Sequence, residues 1–193
     1  MSFVIAENSY SRCGLMAGPK RAEPRPDLGE FSESHSDGRF TIHYAPVGSD
    51  DAPVEEDGNS NGTPDYIEAV LLAANTSYDF ILGLGYDDAY ISDCSNDCTD
   101  FGGDSSYDIY IRDLEVTSTY QEYGQNILDI GEQGTSFIEI DNGFTESYYH
   151  DTDVEFGLMK VTIAHEFFHA IQRSYRISEA NNTIFFYEMS STW

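Results

Sequence analysis

Val161-Thr162-Ile163-Ala164-His165-Glu166-Phe167-Phe168-His169-Ala170-Ile171-Gln172 is the stretch on which the reading of this chain turns. It reads as the middle of a long helix, beginning near Thr152 or Asp153 with an N-cap and acids in its first turn and running to about Arg176. At 3.6 residues per turn, His165 and His169 lie one turn apart on one face. Two imidazoles so placed can reach a single metal ion about 2 Å from each nitrogen. Glu166 is rotated about 100° from His165, so it flanks such an ion without having to ligate it. There it can take a proton from a water that zinc has acidified. Leu158, Val161, Ala164, Phe168 and Ile171 are expected as an apolar stripe beside the pair. The bland alternative is a solvated helix face. With five His in the chain, a chance HExxH is expected roughly 0.01 times, so that alternative is the weaker one.

A catalytic zinc takes three protein ligands and keeps one position open. Gln172 and Tyr175 stand where the pattern HExxHxxGxxH needs Gly and His, which leaves the downstream carboxylates Glu179 and Glu188 as the candidates. Glu179 sits in what reads as the turn leaving the helix. Glu188 sits in the apolar run Ile184-Phe-Phe-Tyr-Glu188-Met-Ser-Ser-Thr-Trp193, where an isolated carboxylate is costly unless it is paired or metal-bound, and it is preferred. Gln172 shares the face of the pair, with no role assigned.

Upstream, residues 39–44 alternate, with Phe40, Ile42 and Tyr44 on one side and Thr41 and His43 on the other, and read as a half-buried strand. A helix is expected from Asp65 to about Leu82, closed by Gly83. Residues 107–112 and 136–141 read as further strands, and 115–134 as loop. Residues 18–28 carry three prolines and read as an extended lead-in outside the core. Strands followed by a long late helix suggest an α+β domain with a mixed or antiparallel sheet. The division is a lead-in at 1–30 and one domain at 31–193.

Asp57-Gly-Asn59-Ser-Asn61-Gly62-Thr63-Pro64-Asp65-Tyr-Ile-Glu68 matches the twelve-position calcium loop D-x-[DN]-x-[DN]-G-x5-E. Oxygens would come from Asp57, Asn59, Asn61, the Thr63 carbonyl, Asp65 (through water) and a bidentate Glu68, with Gly62 making the sharp turn. The competing reading is a helix start, Asp65 as N-cap and Glu68 completing a capping box.

Net charge is −26, from 9 Lys+Arg against 35 Asp+Glu. Fifteen Asp/Glu and no Lys or Arg fall between Phe40 and Ile111. Such a field repels phosphate backbones and anionic lipid, so nucleic acid and membrane surfaces are not expected partners. No apolar run approaches the 18 residues or so that a membrane span needs. Cys94 and Cys98 lie close together in an acidic loop; a small disulfide ring is expected, with zinc binding and free thiols as alternatives. Cys13 is left over. The N-terminus lacks the basic and apolar regions of a signal peptide, yet the cysteines favour export, so a secreted protein without its leader is expected. His150 and Tyr123 read as surface and loop residues.

His165-Glu-Phe-Phe-His-Ala-Ile-Gln followed by Tyr187-Glu-Met-Ser-Ser-Thr-Trp resembles the gluzincin class of zinc metallopeptidases, and more closely a group of secreted bacterial metallopeptidases. The similarity continues upstream through Phe40-Thr-Ile-His-Tyr, the Asp57–Glu68 stretch, Tyr107-Asp-Ile-Tyr-Ile and Ile140-Asp-Asn. It implies a zincin-like domain whose helical C-terminal part continues beyond Trp193. It also implies a protein or peptide substrate, His165, His169 and Glu188 as zinc ligands, and Glu166 as general base and proton shuttle. By the same resemblance, strand 136–141 is expected at the sheet edge where substrate backbone pairs. Thermolysin-like members carry an Asp four residues beyond the ligand Glu; here that position is Thr192. The functional expectation is a zinc endopeptidase. The alternatives are a calcium-stabilised binding or scaffold module without catalysis, and a zinc-binding but inactive fragment.

Overall fold

The computed structural model describes residues 23–54, 56–86, 102–114, 123–129, 135–143 and 156–174. Within them the chain is α+β. β1 (Glu33–Ser36), β2 (Phe40–Tyr44), α1 (Asp65–Gly83), β3 (Tyr107–Arg112), β4 (Gly124–Leu128), β5 (Ser136–Asp141) and α2 (Gly157–Ser174) follow in that order. The sheet is mixed, ordered β1-β2-β3-β5-β4, with β2, β3 and β5 parallel and the two outer strands antiparallel to their neighbours.

Both helices pack on one face of the sheet. Phe40, Ile42, Ile109, Ile111, Ile138 and Ile140 point at them, and α1 answers with Tyr66, Ile67, Val70, Ala74 and Ile81. α2 contributes Met159, Ile163, Phe167, Phe168 and Ile171, so Phe168 and Ile171 of the expected stripe are buried, while Val161 and Ala164 are exposed and Met159, Ile163 and Phe167 take the inward places. Apolar residues occupy adjacent rows of this helix, and periodicity alone cannot choose between them.

The opposite face is covered as well. Phe31 sits edge-on against Tyr110, which in turn packs on Phe137. Arg25 reaches in beside them. β2 is therefore buried at all five positions rather than half-buried, and the lead-in supplies part of the interior from Arg25 onward.

Four further features differ from expectation. β4 forms inside the stretch read as loop; its sequence Gly124-Gln-Asn-Ile-Leu carries little β propensity and is held by pairing to β5. β1 pairs with β2 through a turn at Gly38, where φ is +87°. α1 ends one residue later than expected: Gly83 is still helical, and Gly85 at φ +96° takes the left-handed position, its N–H bonding to the Leu82 carbonyl. α2 starts at Gly157 without an acid in its first turn, because Phe156 at φ +55° cannot continue a helix backward. No described helix is long and apolar enough to cross a membrane.

Candidate metal centre

α2 carries the HExxH residues, with Glu166 on the flank facing Gly124 of β4. His165, Glu166 and His169 are 8%, 3% and 5% exposed. The helical spacing brings His165 Nε2 and His169 Nε2 to 3.0 Å, with the rings perpendicular at 89°. Two nitrogens each about 2.0–2.1 Å from a tetrahedral zinc lie about 3.3 Å apart, so the pair fits that ion after a shift of a few tenths of an ångström. His169 Nδ1 lies 2.8 Å from Gln172 Oε1. Donating there leaves Nε2 with its lone pair toward His165. Gln172, which sequence reading left without a role, thus touches the candidate ligand directly. Its i, i+3 spacing is the signal that could have found it. Among the described residues no group of three or more His, Cys, Asp or Glu clusters as a metal site. Glu188, Glu179, Thr192, His150 and the cysteines Cys13, Cys94 and Cys98 lie outside the described residues.

The sheet edge beside this centre is β4. Strand 136–141, expected at the edge, is interior, flanked by β3 and β4. Asp129 N bonds Thr135 O and Asp141 N bonds Tyr123 O. Odd-numbered residues of β4 therefore face β5, and the backbone groups of Gly124, Asn126 and Leu128 turn to the outer edge. There the Asn126 carbonyl accepts from Arg173 Nη2 and the Leu128 carbonyl from Glu23 N. Tyr123, read as a loop residue, is buried just before this strand.

Gly124 is what lets the edge approach. A Cβ there would stand 2.6 Å from Thr162 Cγ2, 3.2 Å from the Glu139 carbonyl and 3.4 Å from Glu166 Cγ. Gly124→Ala should cost about 1–3 kcal/mol by overpacking. Urea unfolding checks this, and adding Thr162→Ser, which deletes the offending methyl, should recover most of the loss; equal midpoints for all three proteins would contradict the close approach.

Beneath the edge, Asn126 Nδ2 donates to Tyr107 Oη at 2.8 Å and to Ser136 Oγ at 3.0 Å. Burial, slightly offset by the Ser136 bond, pushes the Tyr107 phenol well above its usual range, so it stays neutral.

The calcium-pattern loop places its side chains together. Glu68 Oε2 and Oε1 lie 2.9 Å and 2.7 Å from the amide groups of Asn59 and Asn61. Asp57 accepts from Asn61 N and Gly62 N, and Asp65 Oδ2 accepts from Gly58 N. A half-turn of either Asn amide presents its oxygen to the same point. Gly62 is at φ +90°, as a sharp turn requires. The capping-box alternative fails. Pro64, not Asp65, occupies the N-cap, no side chain caps the helix, and Glu68 faces the loop. A cavity of about 480 Å³, lined by Tyr44, Pro46, Pro53, Asp57 and Pro64 among others, adjoins this loop and not the histidines.

A second polar cluster, unforeseen from sequence, lies on the sheet face away from the helices. Arg25 grips Asp129 with two bonds, Nε–Oδ1 at 2.8 Å and Nη2–Oδ2 at 2.9 Å, and also donates to Asp108 Oδ2. Asp108 Oδ1 accepts from His43 Nε2 at 2.6 Å, and Tyr110 stacks on His43. All these groups are buried. With the geometry of both faces described, comparison adds no relative: no family model, curated protein or solved structure matches the chain.

Proposed function

We propose that the chain is a zinc-dependent peptidase domain of the zincin type, resembling the gluzincins, with His165, His169 and Glu188 as zinc ligands. The observation that carries the reading is the convergence of two buried Nε2 atoms at 3.0 Å. Buried histidines whose Nε2 atoms meet at a separation close to that of two ligands on one zinc, with a buried carboxylate next to them in sequence, support a metal site. When bound, zinc would supply a Lewis acid for the substrate carbonyl and acidify water to near neutral pH.

The chain's own residues do the rest. His165 and His169 hold the ion on a rigid helix, which keeps their geometry through the reaction. Glu166 takes a proton from the attacking water and delivers it to the leaving amine. The outer edge of β4 offers the Gly124 backbone groups to an extended peptide, which would lie as an added strand beside Glu166, while the Asn126 carbonyl is already bonded to Arg173. The acidic surface disfavours polyanionic substrates. On this reading the protein works outside the cell, where calcium is plentiful, and the Asp57–Glu68 loop holds one calcium ion as a structural brace at the start of α1.

Metal analysis of the purified protein tests this. About one zinc per chain, lost on His169→Ala, is the expected result; calcium alone would favour a calcium-stabilised scaffold module, the reading that the Asn59, Asn61 and Glu68 arrangement supports by itself. Calcium removal by EGTA should lower the melting temperature by about 5–10 °C, given about 2.7 kcal/mol of linkage at a hundredfold excess over Kd. Glu68→Gln should melt at the chelated temperature with or without calcium. A melting curve indifferent to EGTA would remove calcium from the reading.

A further inference from the structure

We infer that Gln172 is a positioning residue that fixes the tautomer of His169 and so prepares it as a metal ligand; the inference rests on the zinc reading above. A neutral imidazole carries one N–H and one lone pair, and only the nitrogen with the lone pair can ligate. His165 and His169 present Nε2 to each other, so it is the Nε2 lone pair of His169 that must be free. Gln172 Oε1, 2.8 Å from Nδ1, is an acceptor and calls for the proton on Nδ1. Both residues are 5% exposed, so an unpaired amide or ring nitrogen would be costly there, and the bond is held in place by packing.

The helix builds this device from two consecutive contacts, each between residues about one turn apart. His165 faces His169, His169 faces Gln172, and Gln172 sits three residues on, where i, i+3 side chains meet. With the His169 hydrogen on Nδ1, the 3.0 Å contact in metal-free protein is an N–H···N bond donated by His165. For both Nε2 atoms to hold zinc, His165 would have to carry its hydrogen on Nδ1 instead, while His169 would already present a lone pair. A neutral amide acceptor orients His169 without adding negative charge behind it, in contrast to the carboxylates that often stand behind zinc-bound histidines.

Two measurements decide the matter. Long-range ¹H–¹⁵N NMR of metal-free wild-type protein should find His169 protonated on Nδ1 and not on Nε2; the opposite tautomer overturns the inference without needing any variant. Competition against a chelator should then show zinc binding about 10–100-fold weaker for Gln172→Leu, and within threefold of wild type, or tighter, for Gln172→Glu, which keeps an acceptor. Equal zinc affinity in wild type and Gln172→Leu overturns the inference while leaving the zinc reading intact. Wild-type protein that binds no zinc overturns the peptidase reading instead, and the NMR tautomer still scores Gln172 separately.

Discussion

Glu166→Gln should retain about one zinc per chain and lose hydrolysis of a protein substrate by about 10²–10⁴-fold. The substitution keeps the size and hydrogen-bonding reach of the side chain while removing its basicity, so the two histidines 3.0 Å apart are untouched. Glu166 is 3% exposed and lies on the β4 flank of α2, its Cγ close to Gly124. A peptide laid along that edge would bring its scissile carbonyl to the carboxylate. Glu139→Gln makes a stringent control. Glu139 is equally buried, but its carboxylate accepts from Arg112 and Gln125 on the far side of the sheet, so its loss should lower stability and spare turnover per folded molecule. If Glu166→Gln cleaves casein as fast as the parent, the proposed mechanism is wrong.

The second large effect is on stability. Arg25→Met should lower the unfolding free energy by about 3–5 kcal/mol, because it strands the buried Asp129 and leaves the buried Asp108 with only His43 as its named partner. The triple substitution Arg25→Met, Asp108→Asn, Asp129→Asn should recover a large part of that loss, since an apolar or neutral cluster avoids the uncompensated charge. Urea midpoints for the three proteins test both statements. A single-variant shift below about 0.5 kcal/mol would mean that the grip of Arg25 on the sheet contributes no more than a surface pair.

Much of the architecture was legible because it is locally encoded. β2, β3, β5 and α1 follow from alternation and helical spacing over a few residues, and the histidine pair follows from helix geometry alone. β4 was not legible: Gly124-Gln-Asn-Ile-Leu has no strong strand signal, and its conformation comes from the ladder it forms with β5 and from its contact with α2. That omission displaced the expected edge strand, since 136–141 is an edge only if nothing pairs beyond it. The buried face of α2 was legible at Phe168 and Ile171 but not at Met159, Ile163 and Phe167, as a helix with apolar residues in adjacent rows takes its inward face from what it packs on. The Asp57–Glu68 pattern was legible in full, yet only the fold ruled out the capping box, by turning Glu68 to Asn59 and Asn61 of the loop.

Residue order alone determined that His165 and His169 share a face and that Glu166 stands beside them, because a helix imposes that on any such spacing. It also determined the acidic field, since charge counts need no coordinates. Tertiary structure decided what borders the pair, which strand is the edge, and that Arg25 closes the far side of the sheet. Those are contacts between residues as many as 104 positions apart, and they depend on the packing of whole elements, which no local periodicity records.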